Sequence, residues 1–110
     1  MRRALGAVAA LALAGCQPAA VAPVPSGLAL VPAPGGLEVA GSGGREIGFG
    51  RAQAGALVSV ARVEGVAPRP VPCGAGRTAY ATGAGLTLVF EREVFVGWAG
   101  ASGRAGRGCA

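Results

Sequence analysis

The thiol of Cys16 stands directly behind two of the smallest residues, Ala14 and Gly15, with Leu13 ahead of them. Its thiolate is the strong nucleophile of this side-chain set and can be alkylated to a stable thioether under mild conditions. Small neighbours let an extended backbone enter a protease cleft that bulkier residues would block, so residues 13–16 suit both modification and processing. Elsewhere the means for chemistry are sparse. The chain has no His, Asp, Asn or Lys, so five glutamates are the side chains left to act as general base near neutral pH. Glu91 and Glu93 flank Arg92, and two carboxylates suitably spaced and enclosed could serve glycoside hydrolysis. The weightier reading is a solvated hairpin tip. The sixth positions after Gly41, Gly48 and Gly74 are Glu46, Gln53 and Ala79, so G-x-G-x-x-G is absent, and no Ser sits in a G-x-S-x-G elbow. No second C-x-x-C, His or Asp completes a set of metal ligands. Neither a cofactor nor catalysis is expected.

The element that must present Cys16 is legible. After Arg2-Arg3 the chain runs from Ala4 to Ala14 almost without polar atoms, the layout of a secretory signal peptide. The run falls short of the roughly 20 apolar residues that a spanning helix needs, and prolines follow it. Leu13-Ala14-Gly15-Cys16 resembles the lipobox of bacterial lipoproteins. The resemblance implies that Cys16 receives a diacylglyceryl group, that the peptide is cut before it, and that the new amino terminus is acylated. Membrane lipid is then the first partner. One acyl chain binds marginally at about 0.8 kcal/mol per buried methylene, whereas two or three hold a protein stably. In related bacteria an Asp after the lipidated Cys retains the protein at the inner membrane. Gln17 stands here, which implies the outer membrane, with the domain facing the periplasm.

With Cys16 occupied, Cys73 and Cys109 remain as a pair in an exported chain, a setting in which disulfides persist, and they are expected to be bonded. The ten arginines drop to eight once Arg2 and Arg3 are cleaved away, against five glutamates. So weak an excess, without Lys clusters or interleaved aromatics, argues against nucleic acid and for mild attraction to anionic head groups. Arg104 and Arg107 in the Gly-rich tail could pair with lipid phosphates. A merely solvated tail is the blander alternative.

Residues 1–15 thus read as signal peptide, 16–36 as lipidated Cys plus a Pro- and Ala-rich tether, and 37–110 as one small domain. Leu28 to Val31 and Leu37 to Val39 alternate well enough for short edge strands. Gly41-Ser42-Gly43-Gly44 makes a turn, and Arg45 to Phe49 extends again. Between Ala52 and Glu64, Ala54, Leu57, Val58 and Ala61 fall at i, i+3, i+4 and i+7 on one helical face, and Gly65 suits the position just past its end. Val58, Val60 and Val63 are β-branched, which leaves a strand as the competing reading. Pro68, Pro70 and Pro72 break what precedes them. Thr78 to Thr82, Leu86 to Glu91 and Val94 to Ala99 then read as a three-stranded antiparallel meander, and residues 100–108 as a loop. Leu86, Leu88 and Phe90 share one face. Val94, Val96 and Trp98 share a face of the next strand, with Phe95 on the other, so one aromatic could be an exposed anchor for a partner, though a core or edge-covering role is the weightier reading.

The expected fold is α+β, one helix packed on a three-stranded meander in two layers with one disulfide. The order of helix, proline-rich loop, Tyr80, Gly85-Leu86-Thr87-Leu88-Val89-Phe90 and Val94-Phe95-Val96-Gly97-Trp98 resembles the small outer-membrane lipoproteins of the SmpA/OmlA type. That resemblance implies helices on a three-stranded sheet over residues 50–99, though such proteins usually carry two helices ahead of it. The function expected is a lipid-anchored structural or protein-binding module of the envelope, with an envelope protein as partner. A binder of a small ligand, lipid or envelope glycan is the alternative, and a cavity under the meander lined by Arg77 and Tyr80 would favour it.

Overall fold

The computed structural model describes residues 27–74 and 76–110. Leu13, Ala14, Gly15 and Cys16 lie outside them. Ala29–Ala33 (β1) and Gly36–Ala40 (β2) form a hairpin, and Glu46–Gly48 (β3) pairs antiparallel with the other side of β2. The strand β1 falls inside the stretch read as tether. Its one proline, Pro32, does not prevent this, because β1 is an edge strand, where an N–H missing from the ladder is tolerated. Along β2, buried Leu37 and Val39 alternate with exposed Glu38, and Leu37 pairs with buried Ile47.

The helix α1 spans Gln53–Glu64. Gly65 ends it in the left-handed conformation at φ 76°, its N–H donating to the Ala61 carbonyl at 2.8 Å. The buried face is not the expected stripe. Ala56, Val60 and Val63 point into the core, while Val58 is 50% exposed. Apolar residues lie on nearly opposite sides of this helix, so periodicity could not say which side the rest of the chain would cover. Ala52 occupies the N-cap in an extended conformation and supplies no side-chain acceptor. Ala52→Ser should therefore raise stability by about 1 kcal/mol, readable as a higher urea midpoint at unchanged slope.

Arg69–Val71 (β4), Thr78–Ala81 (β5), Thr87–Glu91 (β6), Val94–Gly100 (β7) and Gly103–Gly106 (β8) build a five-stranded antiparallel sheet in chain order. The expected α+β class with a lone three-stranded meander is thereby corrected. The protein is mostly β, with two antiparallel sheets of three and five strands and a single short helix. The architecture implied by the SmpA/OmlA resemblance falls with it. Three of the meander strands sit where their β-prone residues put them. Two others were hidden by composition: β4 carries Pro70 at a sheet edge, and β8 lies in the Gly-rich stretch read as a loop.

One core joins the layers. It unites Leu37, Val39 and Ile47 of the small sheet, Ala56, Val60 and Val63 of the helix, and Leu86, Leu88, Phe90, Phe95 and Trp98 of the large sheet. Phe95 and Trp98 were expected on opposite faces, yet both are buried, at 1% and 7% exposure. The cause is a register shift. Gly97 pairs with Val89 but Phe95 pairs with the adjacent Phe90, so Val96 is an extra residue that returns Phe95 to the side of Trp98. Trp98 Nε1 donates to the Ala33 carbonyl at 2.7 Å, fastening the large sheet to β1.

The turn between β6 and β7 places Arg92 and Glu93 at φ 52° and 65°, the left-handed pair that a two-residue hairpin favours, without the Gly or Asn that adopts it readily. Glu93 contributes its carbonyl, which accepts the Gln53 N–H at 2.8 Å. Glu93→Gly keeps that carbonyl, relieves the backbone and should stabilise by about 1 kcal/mol, seen as a higher thermal midpoint. A lower midpoint would show that the Glu93 side chain matters more than its backbone.

Candidate functional site

The carboxylates singled out as an acid/base pair are not one. Glu91 accepts from Arg77 Nε at 2.7 Å and lies 3.4 Å from Arg107 Nη1, so its oxygens are committed to arginines. The Arg77 hydrogen bond, aided by the charges of Arg107 and Arg92, holds the Glu91 carboxyl below its ordinary range. That favours the ionised form, the reverse of what a general acid needs. Arg77 and Tyr80 do not converge on a shared cavity, because alternation in β5 and its approach sends the two side chains apart. Tyr80 packs edge-on against Phe90 at 5.8 Å and its hydroxyl accepts from Gln53 Nε2 at 3.3 Å, whereas Arg77 reaches Glu91 and the Gly108 carbonyl.

Cys73 and Cys109 are joined, with Cα atoms 4.8 Å apart. The bond clasps a tail laid along the large sheet. The Arg107 N–H donates to the Val96 carbonyl at 2.8 Å, Arg77 Nη1 to the Gly108 carbonyl at 2.8 Å, and the Gly74 N–H to the Cys109 carbonyl at 3.1 Å. Gly97 makes room for this, since a Cβ there would run into the Arg107 backbone. On the same face of the sheet as Gly97, Ala79 and Val89 are buried at 2% and 0% exposure. Arg107, one of the two tail arginines proposed for phosphate, is thus engaged by Glu91, and Arg104 stands exposed on β8.

A different concavity emerges between α1 and the turn joining β2 to β3, a cleft of about 470 Å³. The turn is shaped by Ser42, whose hydroxyl donates to the Val39 carbonyl at 2.6 Å and accepts the Arg45 N–H at 3.0 Å. This sets Arg45 and Glu46 on one wall. Arg51, just before the helix, lies along it past Gly55 and donates from Nη2 to Ser59 Oγ at 3.0 Å. Arg62, three residues beyond Ser59, completes the second wall. Val39, Ile47 and Val63 form an apolar floor and Leu28 stands at its margin. Three guanidiniums against one carboxylate give an electropositive site, and none of the three makes an ion pair among the described residues. Sequence reasoning missed it. The available signal was weak: Arg45, Arg51 and Arg62 stand apart in the chain, and only the packing of helix against turn brings them together.

Among the described residues no group of three or more His, Cys, Asp or Glu is placed to hold a metal ion, and no helix is long and apolar enough to cross a membrane. Fold and site together define a small, disulfide-clasped, two-sheet domain with one helix and an arginine-lined cleft. No family model matches the chain, and no curated protein or solved structure matches it either.

Proposed function

We propose that the chain is a lipoprotein of the bacterial cell envelope, fastened to the membrane through acylated Cys16 and presenting its β-rich domain to the periplasm as a structural or protein-binding module. The observation that carries this is Leu13-Ala14-Gly15-Cys16 closing an apolar run behind Arg2-Arg3. The bonded pair Cys73–Cys109 supports export, since such bonds persist in oxidising compartments, and it leaves Cys16 as the odd thiol. Gln17, where an Asp would signal retention, favours the outer membrane. The reading includes no catalytic role, and Glu91, held ionised by Arg77 and Arg107, is not poised as a general acid.

Mass spectrometry of the native amino-terminal peptide tests the anchor directly. The expected product begins at Cys16 and carries diacylglyceryl and acyl groups. Cys16→Ser should leave the signal peptide uncleaved and the protein unlipidated, read as loss of the acylated peptide and retention of residues 1–15. A wild-type chain that keeps Met1 and a free Cys16 thiol would end the proposal. The alternative, a binder of a small ligand, lipid or glycan, is favoured by one observation, the electropositive cleft with its apolar floor.

A further inference from the structure

We infer that the cleft between α1 and the β2–β3 turn binds the phosphate of an anionic phospholipid at the surface to which the chain is tethered. The membrane as source rests on the anchored reading above; phosphate recognition by the cleft does not. Arg45, Arg51 and Arg62 are three of the chain's ten arginines, and they converge on one concavity whose single carboxylate is Glu46. A guanidinium presents planar, forked donors that match phosphate oxygens two at a time and is weakly hydrated, so arginine is well suited to this contact. Arg51 is already oriented by Ser59, which limits the ordering needed when an anion arrives. A site for a free inorganic anion alone has no use for an apolar floor, whereas Val39, Ile47 and Val63 can meet the glycerol and first methylenes of a lipid.

Position in the chain supplies the second argument. Leu28 borders the cleft and follows Cys16 by twelve residues, so even full extension holds the cleft within about 40 Å of an acylated Cys16. A short leash of this kind raises the effective concentration of head groups around the site, and modest intrinsic affinity then suffices.

The test uses the full chain purified from membranes and reconstituted into vesicles of phosphatidylcholine alone or with about a third phosphatidic acid, a fraction set to give a strongly negative surface. Arginines are modified with phenylglyoxal and followed residue by residue by mass spectrometry. The expected result is modification of Arg45, Arg51 and Arg62 slowed at least fivefold in the anionic vesicles, with Arg69 and Arg92, exposed elsewhere on the surface, changed less than twofold. Equal slowing of all five would indicate general surface attraction and overturn the site, as would equal rates in both vesicles. A third sample adds inorganic phosphate at about 10 mM to the phosphatidylcholine vesicles. Protection there as strong as with phosphatidic acid would assign the cleft to a free anion and overturn the lipid source. The same digest reports the mass of the amino-terminal peptide, so failure of lipidation at Cys16 is read separately from failure of the cleft.

Discussion

Replacing Cys73 and Cys109 together with serine should lower the unfolding free energy by about 4 kcal/mol, the chain-entropy value for a loop closed over 36 residues. In a domain this small, whose core supplies only a few kcal/mol net, a loss of that size leaves little folded reserve at 37 °C. The structure adds a local expectation to the global one. Without the clasp, the tail depends on the Arg107 and Gly74 N–H bonds, the Arg77 contact with Gly108 and the Arg107–Glu91 pair. Amide exchange at Arg107 and Gly74 should accelerate ahead of exchange in the centre of β6. Urea unfolding of both forms under non-reducing conditions gives the first quantity and hydrogen exchange the second. A midpoint shift worth less than about 1 kcal/mol would mean that the tail is held by its hydrogen bonds and that the disulfide contributes little.

Phe95→Ala should cost about 4 kcal/mol, within the range for deleting a fully enclosed aromatic ring. The ring is 1% exposed and sits between Phe49, centroid at 5.1 Å, and Phe90 at 5.5 Å. Its loss removes edge-to-face contact with Phe49 as well as buried area, and the rigid strands on either side give the cavity little chance to collapse. Val58→Ala on the outward face of α1 should change stability by less than about 0.5 kcal/mol. Chemical denaturation of the two variants side by side checks both the core assignment and the orientation of the helix. Comparable losses would mean that the face carrying Val58 is covered by something in solution.

The contrast between those two positions shows what was legible in the sequence. Gly65 announced the helix end, because few residues other than glycine take the left-handed conformation easily. The β5–β6–β7 meander was equally readable, since Leu88, Phe90 and Val94 are strand formers between turn residues. The helix face was not readable, for Ala54, Leu57 and Val58 make as good an apolar stripe as Ala56, Val60 and Val63, and only tertiary packing chooses between them. Phe95 was placed opposite Trp98 because strict alternation was assumed, and one extra residue at Val96 reverses everything before it. The strands β4 and β8 were lost because Pro and Gly are read as breakers, although sheet edges and close backbone approaches accommodate both. Of the candidate site, the cysteine pair could be inferred from arithmetic and compartment. The arginine cleft could not, since its members come from a turn, a linker and a helix.

The hydrogen bond from Trp98 to Ala33 makes the protein its own optical gauge. Trp98 is the sole tryptophan of the chain, is nearly enclosed, and spans the junction of the two sheets. Emission from that single indole therefore tracks parting of the β1 edge from the large sheet without any added label, and a red shift that precedes loss of far-ultraviolet dichroism would mark the junction as the first part of the molecule to open.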